Sequence, residues 1–512
     1  MLKKIKKFIP QDYVIAIFLF LLAGFARTIP EIIAGKWPIG YDTFNTYAAE
    51  LSTYHGPLIN WLKTANLLYF IFLPFVRMGV EPASLMKFFG PILYGGLIVS
   101  FYFFIRNFLR LGKLQSFLAG IILVLQLAAL RLSWDLYRNE LGLIFLFLAL
   151  INLAKVEKTK NFILFCLLAL LVVLTNEIVT VILFVALLVY LVALFFKKKK
   201  SYLTIIKLSA LFVMMAFLFF GIINQSARQV LYSDHIYFVS EKNNLWRYLY
   251  QYKTEMDYGK LYSIISRLFW LLYGFLIPFI LIGFWFWRKN IILTTIALWL
   301  LIGSFSSLIF AGTGLIVWER WLIMLVFPFV IYTTEGIFQI GRFVDLRFKK
   351  WHFHLRPMLL TLAIIFWLGF LGLFAWRAYP FLTKSYPDTK PPYRDEEMNS
   401  YFTPTMVHNS VGIWRIEDTL NTVEWLDKNV PLNAVVLVDN RYRGLMMTNF
   451  KMDNRYIITN TWSERWSQEG LNSARKKGFT KIYLIWKNTS VKGFDRIFVS
   501  GNVAVYKAKP PR

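Results

Sequence analysis

Six short basic clusters punctuate the first three-quarters of this 512-residue chain, at residues 3–7, 106–113, 155–160, 197–200, 288–289 and 342–356. Short loops rich in Lys and Arg stay on the cytoplasmic side of a membrane. Each apolar stretch between two clusters therefore has to cross outward and come back, and the clusters act as topological stakes. Composition agrees: 57% of residues are hydrophobic, 18% are aromatic, and the mean hydropathy is +0.51, far from the surface requirement of a soluble protein. A formal charge of +28 would suggest nucleic acid in a soluble chain. Here much of it sits in inner-face loops, where anionic lipid headgroups attract it, so membrane lipids and not nucleic acid are the expected partners.

With about 20 apolar residues needed per crossing, the stakes divide the chain into eleven expected spans: 13–28, 88–105, 114–130, 139–154, 161–175, 177–196, 203–222, 263–287, 291–311, 318–338 and 358–376. The apolar stretch 67–76 is short, contains Pro74 and ends at Arg77, so it is assigned to the outer interface. Basic residues 3–7 ahead of an apolar stretch could pass for a signal peptide, but Arg27, Thr28 and Pro30 make a poor small-residue cleavage site, and the segment reads as a retained first span. The only cysteine, Cys166, falls inside a span, so no internal disulfide forms.

This threading puts the N-terminus in the cytoplasm of a multi-pass cell-membrane protein. Three segments are left outside: a first loop at about 27–87, a loop at 224–262, and everything after residue 376. Residues 1–376 then form the transmembrane domain and 377–512 an extracytoplasmic α/β domain. The latter starts at a Pro-containing linker, 386–393. Residues 419–429 and 471–477 have helical spacing, 434–438 and 481–486 read as buried strands, and 494–499 with 503–506 form a hairpin around Gly501-Asn502. This part holds 21 Lys and Arg against 13 Asp and Glu, a net +8.

Chemistry is expected where costly polar groups gather at the outer ends of spans. In Gly40-Tyr41-Asp42-Thr43-Phe44-Asn45-Thr46-Tyr47, residues Phe44, Tyr47, Ala48, Leu51 and Tyr54 share one helical stripe, predicting a helix that lies flat on the membrane. Asp42 opens that helix, either as its N-cap or as a carboxylate aimed at an acceptor hydroxyl or amide. The second outer loop crowds Arg131, Asp135, Arg138 and Glu140 into ten residues. Glu140 begins a span, where a charge is expensive without a partner. Glu177 stands at an outer hairpin, where capping the next helix is the favoured reading. Glu319 and Arg320 open the tenth span in Trp318-Glu319-Arg320-Trp321. Arg320 either pairs locally or offers its fork to the oxygens of a lipid-linked phosphate, and spacing leaves both open.

The segment from Gly40 to Tyr47 resembles the first-loop motif of the catalytic subunit of oligosaccharyltransferases, in which an aspartate precedes an aromatic-Asn-Tyr helix. Tyr137-Arg138-Asn139-Glu140-Leu141-Gly142 resembles that family's second-loop motif, and Thr422-Val423-Glu424-Trp425-Leu426 with Ala434-Val435-Val436-Leu437 resembles the start of its outer domain. The resemblance implies a fold like the GT-C superfamily of membrane glycosyltransferases, which transfer sugars from polyprenyl-linked donors on the outer face with inversion. It also implies a divalent ion, Mg2+ or Mn2+, at Asp42 and Glu140. Yet Arg138 stands where that second loop carries its first acidic residue, and Val438-Asp439-Asn440-Arg441-Tyr442-Arg443-Gly444 replaces the expected Trp-Trp-Asp-Tyr-Gly acceptor motif.

The expected function is thus transfer of a sugar from a polyprenyl phosphate or pyrophosphate to a glycan, lipid or protein acceptor. Asp42 would be the catalytic group, and Arg320 and Arg138 the donor-phosphate ligands. Glu140, Asp135, Glu319 and Glu177 would support them, and the 224–262 loop, with Asp234, His235, Glu241, Glu255 and Asp257, would form a lid. Oligosaccharyltransferase-like protein glycosylation is the nearest alternative. A lipid or solute transporter and a non-catalytic envelope-glycan-binding protein are the others.

Overall fold

A computed structural model describes residues 11–40, 42–197, 202–223, 236–238, 258–309, 318–348, 356–383, 416–439, 441–451, 455–461 and 464–510. Its centre is the apolar stretch Trp318–Arg342, in which 94% of an 18-residue apolar window is buried, whereas in Thr361–Tyr379 only 17% of such a window is. The first helix, Gln11–Ile33, likewise turns Leu21 and Phe25 outward at 62% and 66% exposure. Helices that pair internally all their backbone polar groups while showing apolar side chains on the outside suit lipid rather than water. The chain is a polytopic helical membrane protein.

Seven described helices are long and apolar enough to cross a membrane, or up to eight if the bent pair Lys113–Leu125 and Leu127–Trp134, which turns by 60°, is one span. This corrects the expected eleven. The helices Tyr137–Leu153 and Thr159–Thr175 have 17 residues each and Ile291–Ser304 has 14. At 1.5 Å per residue these rise about 21–26 Å, short of a hydrocarbon core of about 30 Å. Local chemistry sets two of the breaks in the bundle. Asn176 Oδ1 accepts from the amides of Ile178 and Val179, starting a new helix just after Thr175, and Gln126 Oε1 takes the Ala128 amide at the bend.

Close packing needs small residues in one place above all. A Cβ on Gly283 would lie 1.8 Å from the Tyr332 carbonyl oxygen, and one on Gly336 would lie 2.1 Å from that of Phe279. The helices Ile277–Trp287 and Val326–Phe348 thus touch backbone to backbone, the contact that membrane helices use in place of a hydrophobic driving force.

The bundle has two chemically distinct ends. At one, Asp12 accepts from Tyr102 Oη at 2.7 Å and pairs with Arg106 at 3.2 Å, beside Lys113 on Gln11. At the other, Arg27 and Glu31 form a fully buried pair at 2.7 Å. Arg27 Nε also donates to the Ser133 carbonyl and Nη2 to Tyr137 Oη, at 3.0 and 3.2 Å, while Glu31 Oε2 accepts from the Ile39 amide. Lys87 Nζ donates to the carbonyls of Glu31, Gly35 and Trp37. Gly90 makes room, because a Cβ there would meet the Arg27 guanidinium at 3.0 Å.

The C-terminal sheet has the order β1-β3-β2-β4-β6-β5, with β1 Ile236–Phe238, β2 Val435–Asp439, β3 Tyr456–Thr461, β4 Ile482–Lys487, β5 Phe494–Ser500 and β6 Val503–Ala508. The first four are parallel to one another, and the β5–β6 hairpin adds to β4 antiparallel and closes that edge. Strands β2 and β4 are buried for five consecutive residues, as parallel strands covered on both faces must be. The edge strand β1 comes from the segment between two membrane helices, so the 224–262 loop is tied into this sheet through Ile236–Phe238. The rest of that loop up to residue 257, with Asp234, His235, Glu241, Glu255 and Asp257, lies outside the described residues, as does the linker at 386–393.

Two stability outcomes are expected. Arg27→Met strands the Glu31 carboxylate in a dry site and should cost about 3–5 kcal/mol, whereas the double change Arg27→Met, Glu31→Leu should recover much of it, read as thermal unfolding in detergent. Gly283→Ala should lower the melting temperature sharply while Gly341→Ala, which meets nothing within 4 Å, leaves it in place.

Candidate functional site

The site forms where the first connecting segment, the start of the central helix and the C-terminal domain meet. After Ile39 the chain enters a π-helix, Thr43–Ala48, followed by the short helix Ala49–Thr53. The apolar stripe expected to lie on the membrane is used differently. Tyr47, Leu51 and Tyr54 are buried with Trp61, Tyr69 and Tyr137 in an aromatic-rich core between this segment and the helices Leu67–Arg77 and Tyr137–Leu153. The Tyr47 ring lies 5.6 Å from that of Tyr69 and 5.4 Å from that of Tyr137, centroid to centroid. Burial in this core pushes the Tyr69 phenol well above the usual tyrosine range, so it stays protonated. Thr43, fully buried, donates to the Ile39 carbonyl at 2.8 Å and lies 3.4 Å from Tyr137 Oη. Tyr137 therefore links the Arg27–Glu31 pair to the residue next to Asp42.

Asp42 stands at the N-cap position, but its side chain makes no capping bond. Oδ1 accepts from Thr46 Oγ1 at 3.2 Å, and Oδ2 faces Arg320 Nη2 at 3.5 Å, across 278 residues of sequence. Both members of the pair are partly accessible, at 25% for Asp42 and 31% for Arg320. A contact of that length at that exposure is a loose one, with a worth of about 0–1 kcal/mol, so little energy opposes opening the pair around an incoming ligand. Glu319 sits half-buried beside Arg320 at the start of Trp318–Met324.

The C-terminal domain closes over this pair. Its helix Arg443–Asn449 rests on Thr43–Ala48 and Ala49–Thr53, and Ala49 and Ala83 share a buried cluster with Leu445, Met446 and Met447. Arg443 Nη2 donates to Thr46 Oγ1 at 3.3 Å. Arg441 instead binds Asp439, fully buried at the end of β2, through Nε at 3.0 Å and Nη2 at 2.6 Å.

Of the other candidates, Arg138 is spent on the scaffold. Its guanidinium pairs with Glu177 at 2.8 Å and donates to the carbonyls of Ala65 and Thr175. Burial works against its charge, yet the Glu177 carboxylate beside it holds its pKa above the ordinary arginine value. The helix start at Glu177 is capped by Asn176, which leaves Glu177 for this ion pair. Glu140 is fully buried further into the bundle, away from the Asp42–Arg320 pair. Asp135 ends the helix Leu127–Asp135, and its side chain lies outside the described residues.

No three His, Cys, Asp or Glu side chains group to hold a metal ion among the described residues. Asp42 faces a guanidinium, so these residues do not fit a divalent cation held by Asp42 and Glu140, and no chemistry below passes through one. Thr46, Arg27 and Lys87 carried no functional weight in the sequence. An Arg and a Glu four apart in an apolar helix were the signal for the buried pair, whereas nothing local marks Thr46. No protein-family model matches this chain, and no curated protein matches it in sequence.

Proposed function

We propose that this chain is a membrane glycosyltransferase of GT-C type that moves a sugar from a polyprenyl-phosphate-linked donor to a hydroxyl on a glycan, lipid or protein acceptor. The observation that carries the reading is the Asp42–Arg320 pair, a carboxylate and a guanidinium brought together from distant elements at an accessible bundle end beneath a separate domain. Such a pair supplies what displacement at an anomeric carbon needs. Asp42 takes or orients the acceptor hydroxyl proton as the new C–O bond forms. Arg320 balances the charge on the phosphate oxygen as the old C–O bond breaks. Attack opposite the leaving group inverts the anomeric configuration. The positive charge comes from Arg320, with Arg138 holding the floor of the site through Glu177 and not touching the donor. Transfer to protein side chains stays within this scheme as one acceptor class.

In this reading the Asp12–Arg106 end faces the cytoplasm, because the basic residues Arg106 and Lys113 lie there, and the C-terminal domain lies outside with Asp42. A transporter would put its working ionisable group near mid-depth. Glu335, buried and bound by Gln115 at 2.6 Å, is about two turns from Arg342, where the apolar stretch Trp318–Arg342 ends, which favours the enzyme.

In assays of purified protein with labelled polyprenyl-phosphate monosaccharides, Asp42→Asn should lower transfer by about 10²–10⁴-fold and Arg320→Gln by about 10²–10³-fold. Lys428→Ala, on the surface of the C-terminal domain, should leave it unchanged. Full activity in Asp42→Asn sinks the assignment. For orientation, in a Cys166→Ser background an impermeant maleimide applied to intact cells should label Glu424→Cys and miss Lys158→Cys; the opposite pattern puts Asp42 on the wrong side for this chemistry.

A further inference from the structure

The two oxygens of Asp42 face different partners. Oδ2 faces Arg320 at 3.5 Å, and Oδ1 accepts from Thr46 Oγ1 at 3.2 Å, which in turn accepts from Arg443 Nη2 at 3.3 Å. A row of four side chains results: guanidinium, carboxylate, hydroxyl, guanidinium. It joins the central helix to the C-terminal domain through the first connecting segment. The neighbouring Arg441 is held by the buried Asp439, so it is Arg443, half-buried at the start of Arg443–Asn449, that reaches across the domain boundary.

This placement has a stereochemical consequence, and it rests on the proposed reading of Asp42 and Arg320. In a displacement the nucleophile enters opposite the leaving group. If Arg320 holds the departing phosphate, the far oxygen of Asp42 and the groups beyond it lie on the side from which the acceptor enters. We propose that Arg443 reads an anionic group, a carboxylate or a phosphate, carried by the acceptor close to its attacking hydroxyl. Thr46 sets the spacing: its hydroxyl orients the Asp42 carboxylate while marking how far from the nucleophile the negative group falls. A guanidinium suits either anion because its fork matches both geometries. The acceptor therefore carries a carboxylate or a phosphate beside its attacking hydroxyl, and Arg443 is a specificity residue rather than part of the bond-breaking machinery.

Binding tests this without any donor. The full-length protein in detergent is titrated with glucuronate, glucose 6-phosphate and glucose while its melting temperature is followed, in the native chain and in Arg443→Gln, Arg443→Lys and Arg320→Gln. At least one of the two anions should bind the native chain and Arg320→Gln, and bind about ten- to hundredfold more weakly to Arg443→Gln, as loss of a charged hydrogen bond implies. Which of them does so separates the carboxylate from the phosphate source. Arg443→Lys keeps the charge but loses the fork, so it should bind several-fold more weakly than the native chain; this arm decides the matter if the glutamine variant does not fold. Loss of anion binding in Arg320→Gln alone, equal binding of glucose, or binding unchanged across all variants overturns the proposal. So does the absence of binding by either anion. Each of those results leaves the donor assay of Asp42→Asn and Arg320→Gln to stand or fall by itself, because no turnover enters the titration.

Discussion

The architecture around Asp42 depends on one buried ion pair. Arg27 and Glu31 sit a turn apart near the end of the first membrane helix, with side chains at 0% and 3% exposure. A charge in that setting is tolerated only with its partners in place, and here each partner belongs to a different part of the chain. The guanidinium gathers the Ser133 carbonyl and Tyr137 Oη, and the carboxylate takes the Ile39 amide. Lys87 ties the carbonyls of Glu31 and Trp37 to the next helix, Pro82–Asn107. The direction in which the chain leaves the bundle toward Asp42 is thereby set from three sides, so a residue 11 positions from the nearest charge of the pair is placed with little freedom.

The site itself is built in the opposite way. Asp42 and Arg320 touch loosely, at 3.5 Å, while the ion pairs beneath them are tighter, at 2.7 Å for the buried Arg27 and Glu31 and 2.8 Å for Arg138 with Glu177. A rigid floor under a weak upper contact is a sensible division for a site that has to admit a charged ligand between its own groups. The parallel sheet adds the third wall. Because β1 is drawn from the segment between membrane helices, the C-terminal domain is anchored to the bundle at both its sheet edge and its helix Arg443–Asn449.

Much of this was legible in residue patterns where one local rule decides the outcome. The apolar helices, the helix over Thr419 and Leu426, the hydrophobic strand β2 and the β5–β6 hairpin each follow from a run or alternation within a few residues. The count of eleven spans failed because apolar content says that a helix will be buried, not that it will be long. Gln126 bends an otherwise continuous apolar stretch through one side-chain bond to a backbone amide, and the helices Tyr137–Leu153, Thr159–Thr175 and Ile291–Ser304 end before they are long enough to cross. The amphipathic stripe at Tyr47 and Leu51 was visible, but whether a stripe faces lipid or the rest of the protein depends on what lies opposite, and here that is Tyr69 and Tyr137.

By itself, then, the sequence determined the class of the protein: apolar segments of this length and number, staked by Lys and Arg, cannot be held in water, and the more polar C-terminal quarter cannot be held in lipid. It also offered Asp42, Arg138 and Arg320 as charges near helix ends. Only the tertiary structure decided which of them meet. Arg138 went to Glu177, Arg320 went to Asp42, and Arg443 reached Thr46 from the other domain. The physical reason is that an ion pair or hydrogen bond is a matter of a few ångströms in space. Residues 42, 320 and 443 have no local pattern in common, so their proximity exists only once the helices between them have packed.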